Sequence, residues 1–125
     1  MVVGLNPNRP IRYILKTDRD SEKPTVWFLK VLKPDVYAEL VDETGSLKGM
    51  HRTFLKTLRA GLDGWEDFHV EGDDGSPVLA AFEKDTKGVP TDACLQMIPP
   101  VFRAELASAI LAAGRIDNDE KKGSS

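Results

Sequence analysis

The stretch from Gly61 to Val78, Gly-Leu-Asp-Gly-Trp-Glu-Asp-Phe-His-Val-Glu-Gly-Asp-Asp-Gly-Ser-Pro-Val, constrains the fold more than any other part of the chain. It combines a helix stop, an aromatic anchor and a turn signal, and it offers no catalytic set. Upstream, Leu47, Met50, Phe54, Leu58 and Leu62 recur at helical spacing, with Lys48, Arg52, Lys56 and Arg59 on the intervening face. An amphipathic helix is therefore expected over 46–60, with Gly61 as its C-terminal stop. Gly64 beside Trp65 reads as a tight reversal that turns the indole back over the helix end, where its N–H finds a free carbonyl. Phe68 and Val70 then alternate with polar residues up to Asp74-Gly75, and Val78 and Ala80 alternate beyond it. That is the pattern of a hairpin around an Asp-Gly turn, with Pro77 suited to an edge position.

Flanking segments complete an α+β reading. Residues 11–16 and 25–32 are rich in Ile, Tyr, Val, Trp and Phe and read as two antiparallel strands joined by the polar loop 17–24. In the second strand Val26, Phe28 and Lys30 share one face and Trp27, Leu29 and Val31 the other, so one face is expected on the helices and the other on a partner. Pro34 opens a short helix through about Glu43 with a stripe of Val36, Tyr37, Leu40 and Val41. Thr44-Gly45-Ser46 closes it, and Ser46 caps the next helix. Thr91 caps a helix containing Cys94, Leu95 and Ile98, which Pro99-Pro100 stops. A final helix carries Phe102, Leu106, Ile110 and Leu111 until Gly114 ends it. The expected architecture is a small antiparallel sheet of hairpins packed with three to four helices, with Gly64, Trp65, Phe68, Gly75, Phe102 and Leu106 as structural anchors. A flexible arm is expected over 1–10, a single domain over 11–116 and a charged flexible tail over 117–125.

At 125 residues the chain has one domain's length, and 41% hydrophobic with 30% charged residues is ordinary for a folded protein. A net charge of −3 and a pI near 5.4 argue against a general nucleic-acid binder, since phosphate neutralisation needs a basic surface. Cys94 is the only cysteine, so no internal disulfide can form and a reducing compartment is expected. No apolar run approaches the ~20 residues a membrane helix needs. A soluble, unexported protein is therefore expected.

Candidate chemical groups are sparse. His51 and His69 are far apart in sequence and lack a Cys or His partner at ligand spacing. Glu71, Asp73 and Asp74 lack the alternating oxygens of a calcium loop, and Asp18-Arg19-Asp20 and Asp117-Asn118-Asp119 are only fragments of metal motifs. Ser46, Ser76 and Ser108 have no nucleophile-elbow context, and Cys94 has no sequence cue for an activating histidine. The expectation is no catalytic residue, no metal and no cofactor; a small metal-dependent enzyme using Asp73 and Asp74 ranks last. For protein interaction the candidates are Trp27, Leu29 and Val31 on the strand and Lys48, Arg52, Lys56 and Arg59 on the helix.

Four segments taken in order, Ile11-Arg-Tyr-Ile-Leu-Lys-Thr-Asp-Arg-Asp, Thr25-Val-Trp-Phe-Leu-Lys, Gly61-Leu-Asp-Gly-Trp-Glu-Asp-Phe and Pro100-Val-Phe-Arg-Ala-Glu-Leu-Ala-Ser-Ala-Ile, resemble small tail assembly chaperone-like proteins of tailed bacteriophages. Gly64, Trp65, Asp74, Gly75, Arg103, Glu105 and Leu106 fit the Gly-Trp, Asp-Gly and Arg-x-Glu-Leu arrangement of that family. The resemblance implies a non-enzymatic role in the host cytoplasm, holding tape-measure protein soluble or helping tail-tube subunits polymerise around it. Phage tail or other virion proteins are the implied partners, with a homo-oligomer as a further option. The alternative is a permanent virion subunit of the neck, tail or baseplate.

Overall fold

The computed structural model describes residues 10–44 and 50–123, in an α+β arrangement of two small antiparallel sheets and four helices. The expectations for residues 1–9 and for the Thr44-Gly45-Ser46 cap fall largely outside the described residues. Strand β1 (Ile11–Tyr13) pairs with β2 (Val26–Leu29), Tyr13 facing Trp27, and β3 (Leu62–Glu66) lies on the other side of β2 with Trp65 facing Trp27. Alternation then puts Trp27, Leu29 and Trp65 on the inner face. On the outer face Phe28 lies opposite Gly64, where an added Cβ would meet the Phe28 ring at 3.6 Å. The pairing shifts register between Phe28 and Leu29, and beyond the shift Lys30 N–H donates to Gly61 O at 2.7 Å.

β3 is the main correction to the sequence reading. Gly64-Trp65 is not a reversal over the helix end, because Leu62 continues directly from the helix into a strand that pairs with β2. Trp65 Nε1–H still finds a carbonyl, that of Ala80 at 2.9 Å, beyond the hairpin rather than at the helix terminus. The hairpin itself is present: β4 (His69–Glu71) pairs with β5 (Pro77–Leu79). Its connection is wider than a two-residue turn. Gly72 N–H donates to Ser76 O, Gly75 N–H donates to Gly72 O, and Gly75 takes φ 83°, a conformation that favours glycine.

Helix α1 (Pro34–Thr44) begins at the expected proline, although of its stripe only Leu40 is fully buried and Val41 is 40% exposed. Helix α2 (Met50–Gly61) makes its most extensive helix contact with α4 (Pro100–Gly123). Thr53, Thr57 and Gly61 lie at spacing i, i+4, i+8 and are all buried, and of these Gly61 is the point of closest approach to α4, at Ile110. Thr57 hides its hydroxyl by donating to Thr53 O at 2.8 Å. Gly61 does not have a left-handed backbone; it is small because Ile110 of α4 presses against it. Helix α3 (Asp92–Gln96) is capped as expected, Thr91 Oγ1 accepting from Cys94 N at 3.3 Å. Gly114 does not end α4, which runs on to Gly123 through most of the segment expected as a tail. At Gly114 the helix instead approaches Tyr37 of α1, whose ring atom Cδ2 lies 2.8 Å from where a Cβ would stand.

The core gathers Leu29, Leu58, Leu62, Leu95, Ile98, Leu106 and Ile110 around Trp27, all at 1% exposure or less. An aromatic chain extends from it: Trp27 to Phe68 at 4.9 Å, Phe68 to Trp65 at 4.9 Å and Trp65 to Phe82 at 4.8 Å between centroids. Each such pair adds about 0.5–1.5 kcal/mol beyond burial. This chain joins the two sheets.

Candidate functional site

The expected interaction residues divide on burial. Trp27 and Leu29 are core residues and present no surface, and Val31 is half-buried, so the inner face of β2 is not a docking face. The face of this strand that carries Trp27 and Leu29 is the one that packs into the core. On α2, Arg52, Lys56 and Arg59 are exposed as expected, while Lys48 lies outside the described residues. Lys56 Nζ stands 3.0 Å from Glu43 Oε1, and Arg59 pairs with Asp92. The stripe is thus partly neutralised within the chain and ties α2 to α1 and to the start of α3.

Residues of the Arg-x-Glu-Leu segment have clear structural work. Arg103 Nε donates to Leu95 O at 3.0 Å and its Nη2 to Gln96 O at 3.1 Å, satisfying carbonyls at the end of α3. Glu105 Oε2 accepts from Tyr13 Oη at 2.7 Å and from Lys16 N at 3.0 Å, fastening β1 to α4. Burial first, then this carboxylate, raises the Tyr13 phenol above its ordinary 10.0. Leu106 is fully buried, Phe68 is buried and Phe102 is half-buried.

The chemical candidates stay apart. His69 is exposed on β4, and Asp74 Oδ1 accepts from both the backbone and the hydroxyl of Ser76, hydrogen bonds that lower its pKa. Asp18 accepts from Thr25 N at 2.8 Å, a loop-closing role. Ser108 is exposed on α4. Cys94 is buried, its sulfur 3.0 Å from Glu83 N and 3.5 Å from Glu83 O. Among the described residues no group of three or more His, Cys, Asp or Glu is gathered to hold a metal ion. Asp63 is bracketed by Lys84 at 2.8 Å and Lys30 at 3.4 Å. Burial raises its pKa, and the two ammonium groups more than offset that, leaving it below 3.8.

Two concave features were missed from sequence. A cleft of about 290 Å³ opens between the loop after β1 and the corner joining β3 to β4, over a floor of Leu15, Trp27, Phe68 and Phe102. Its rim carries Asp18, Lys23, Thr25, Asp67 and His69. Asp67 takes φ 60°, its carbonyl accepts from Thr25 Oγ1 at 2.8 Å, and its carboxylate lies 3.6 Å from Lys23 Nζ. Trp27 Nε1 is buried without a hydrogen-bond partner among the described residues. A groove of about 340 Å³ also runs between α1 and α4, lined by Tyr37, Val41, Ser108, Leu111 and Ala112. The one sequence cue to the cleft is Asp67, a polar residue between the aromatics Trp65 and Phe68.

Neither protein-family models, curated proteins nor solved structures give a match to this chain. No helix among the described residues is long and apolar enough to cross a membrane.

Proposed function

We propose that this chain is a non-enzymatic morphogenesis protein of a tailed bacteriophage, acting as the tail assembly chaperones it resembles would act, by holding tape-measure or tail-tube protein during assembly in the host cytoplasm. One observation supports the reading most: the β4–β5 hairpin projects apolar side chains into solvent, with Val78 48% and Leu79 63% exposed on a strand that pairs only with β4 among the described strands. An extended or helical segment of a partner would bury those side chains, and an extended one would also use the open edge of β5. The exposed strand is short, and Pro77 removes one donor from it, both of which favour transient capture over permanent sheet formation.

The test is co-expression with a tape-measure protein and measurement of how much of that protein stays soluble. Wild type keeps it soluble, and Val78→Ser/Leu79→Ser loses the effect while retaining the wild-type melting temperature. Equal solubility with both versions would remove the hairpin from the mechanism.

A further inference from the structure

We propose that the groove between α1 and α4 is a docking site for an amphipathic helix of a partner protein that carries lysines or arginines along one flank. The groove measures about 340 Å³, and its lining residues Tyr37, Val41, Ser108, Leu111 and Ala112 include no charged side chain. Its α4 wall is uncharged because that helix commits its charges elsewhere. Between Pro100 and Gly114 the charged residues are Arg103 and Glu105 alone. Arg103 donates to Leu95 O and Gln96 O, and Glu105 accepts from Tyr13 Oη and the backbone N–H of Lys16. On the opposite wall Val41 is 40% exposed, and Ser108 and Ala112 are exposed on α4.

Charge chooses among the occupants of such a groove. Helix α1 carries Asp35, Glu39, Asp42 and Glu43 and no basic residue. Glu43 pairs with Lys56, whereas Asp35, Glu39 and Asp42 are exposed and form no ion pair among the described residues. Spacing of i, i+4 and i+7 sets these three along one face of α1, outside the wall made by Tyr37 and Val41, where like charges repel. Asp42 also lies in the last turn, beside the negative end of the helix dipole. A cationic flank on an incoming helix relieves both effects, and an acidic flank adds to them. An extended segment would find no free main-chain partners along two helices, whereas a helix arrives with its own hydrogen bonds made and inserts side chains at i, i+3 or i+4, and i+7. A second copy of this chain is a poor occupant: on its basic helix α2, Lys56 and Arg59 are tied to Glu43 and Asp92, and Leu58 is in the core.

The groove shares no residue with the β4–β5 hairpin, so the two surfaces are tested separately. The probe is a capped peptide of two Leu-Lys-Lys-Leu-Leu-Lys-Leu heptads, titrated into the ¹⁵N-labelled full chain beside the same peptide with Glu in place of Lys. The basic peptide should shift the amides of Val41, Leu111 and Ala112 in a saturable way. It should bind at least ~tenfold more tightly than the acidic one, by a margin that shrinks as salt is added. Val41→Gln/Ala112→Gln removes apolar surface without changing charge and should weaken binding by about tenfold. Glu39→Gln/Asp42→Gln should weaken it roughly three- to tenfold, and Val78→Ser/Leu79→Ser should leave it unchanged. Equal affinity for the acidic peptide, undiminished binding by either groove variant, or shifts confined to the hairpin would overturn the assignment. So would a dimer of the free chain that Val41→Gln/Ala112→Gln dissociates, since the groove would then belong to a second copy.

Discussion

Replacing Gly61 by Ala tests the packing of α2 on α4 at its tightest point. A Cβ there would lie 2.9 Å from Cδ1 of Ile110 and nearer still to its Cγ2, and Ile110 is fully buried. Neither side gives way easily: Gly61 O is held by Lys30 N at 2.7 Å, and Ile110 is enclosed by the core. Overpacking of this kind costs about 1–3 kcal/mol. Alanine recovers part of that, since glycine is up to about 1 kcal/mol worse within a helix and less at its last residue. The net expectation is a loss of about 1–2 kcal/mol, or roughly 4–8 °C in Tm for a domain of this size. Denaturant unfolding of wild type, Gly61→Ala, Ile110→Ala and the double variant supplies the assay. Ile110→Ala alone should cost about 2–5 kcal/mol, and Gly61→Ala in that background should cost nothing or stabilise, giving a coupling of at least ~1 kcal/mol. An additive cycle, or a Gly61→Ala variant as stable as wild type, would refute the contact.

Other perturbations address the remaining joints. Trp65→Ala should cost about 3 kcal/mol, at the low end for a large aromatic because the ring is half-buried, and hydrogen exchange at the Ala80 N–H, which donates to Phe68 O, should rise as the hairpin loosens. The Tyr13 phenol should titrate above 10.0 by ultraviolet absorbance, and Glu105→Gln should bring it partway back. Because its folded pKa is raised, its contribution to stability is complete below 10.0 and is lost as pH climbs through the folded value. Asp63 has the opposite sign: its folded pKa is depressed, so its contribution is present above 3.8 and declines as pH falls through the lower folded value. Lys84→Met together with Lys30→Met should flatten that acid limb of the stability curve. Lys56→Gln and Arg59→Gln should each change stability by no more than about 1 kcal/mol, as exposed ion pairs do.

Local rules carried much of the fold. Pro34, Thr91 and Pro100 marked helix starts because caps and first-turn prolines act within a few residues, and the Asp74-Gly75 hairpin followed from alternation plus a glycine able to take positive φ. What failed depended on distant partners. Leu62–Glu66 contains Asp and Gly, weak strand formers, yet it pairs along β2 because Phe28 covers Gly64 and Trp65 joins the aromatic chain. Gly114 was read as a helix stop, whereas Tyr37 requires its small size; Gly61 does end α2, but it is small because Ile110 presses on it. The strand face of Trp27 and Leu29 was assigned to a partner because nothing local says which face of an apolar strand the core covers. The cleft escaped notice for the same reason: Lys23, Asp67 and Phe102 are brought together only by the closed fold.

Quantitative mass spectrometry of purified phage particles beside lysate of the producing cells tests the assembly role most directly. A transient helper is abundant in lysate and absent from particles, the expected result. Fixed stoichiometric copies in particles would contradict the chaperone role and make the chain a permanent virion subunit instead.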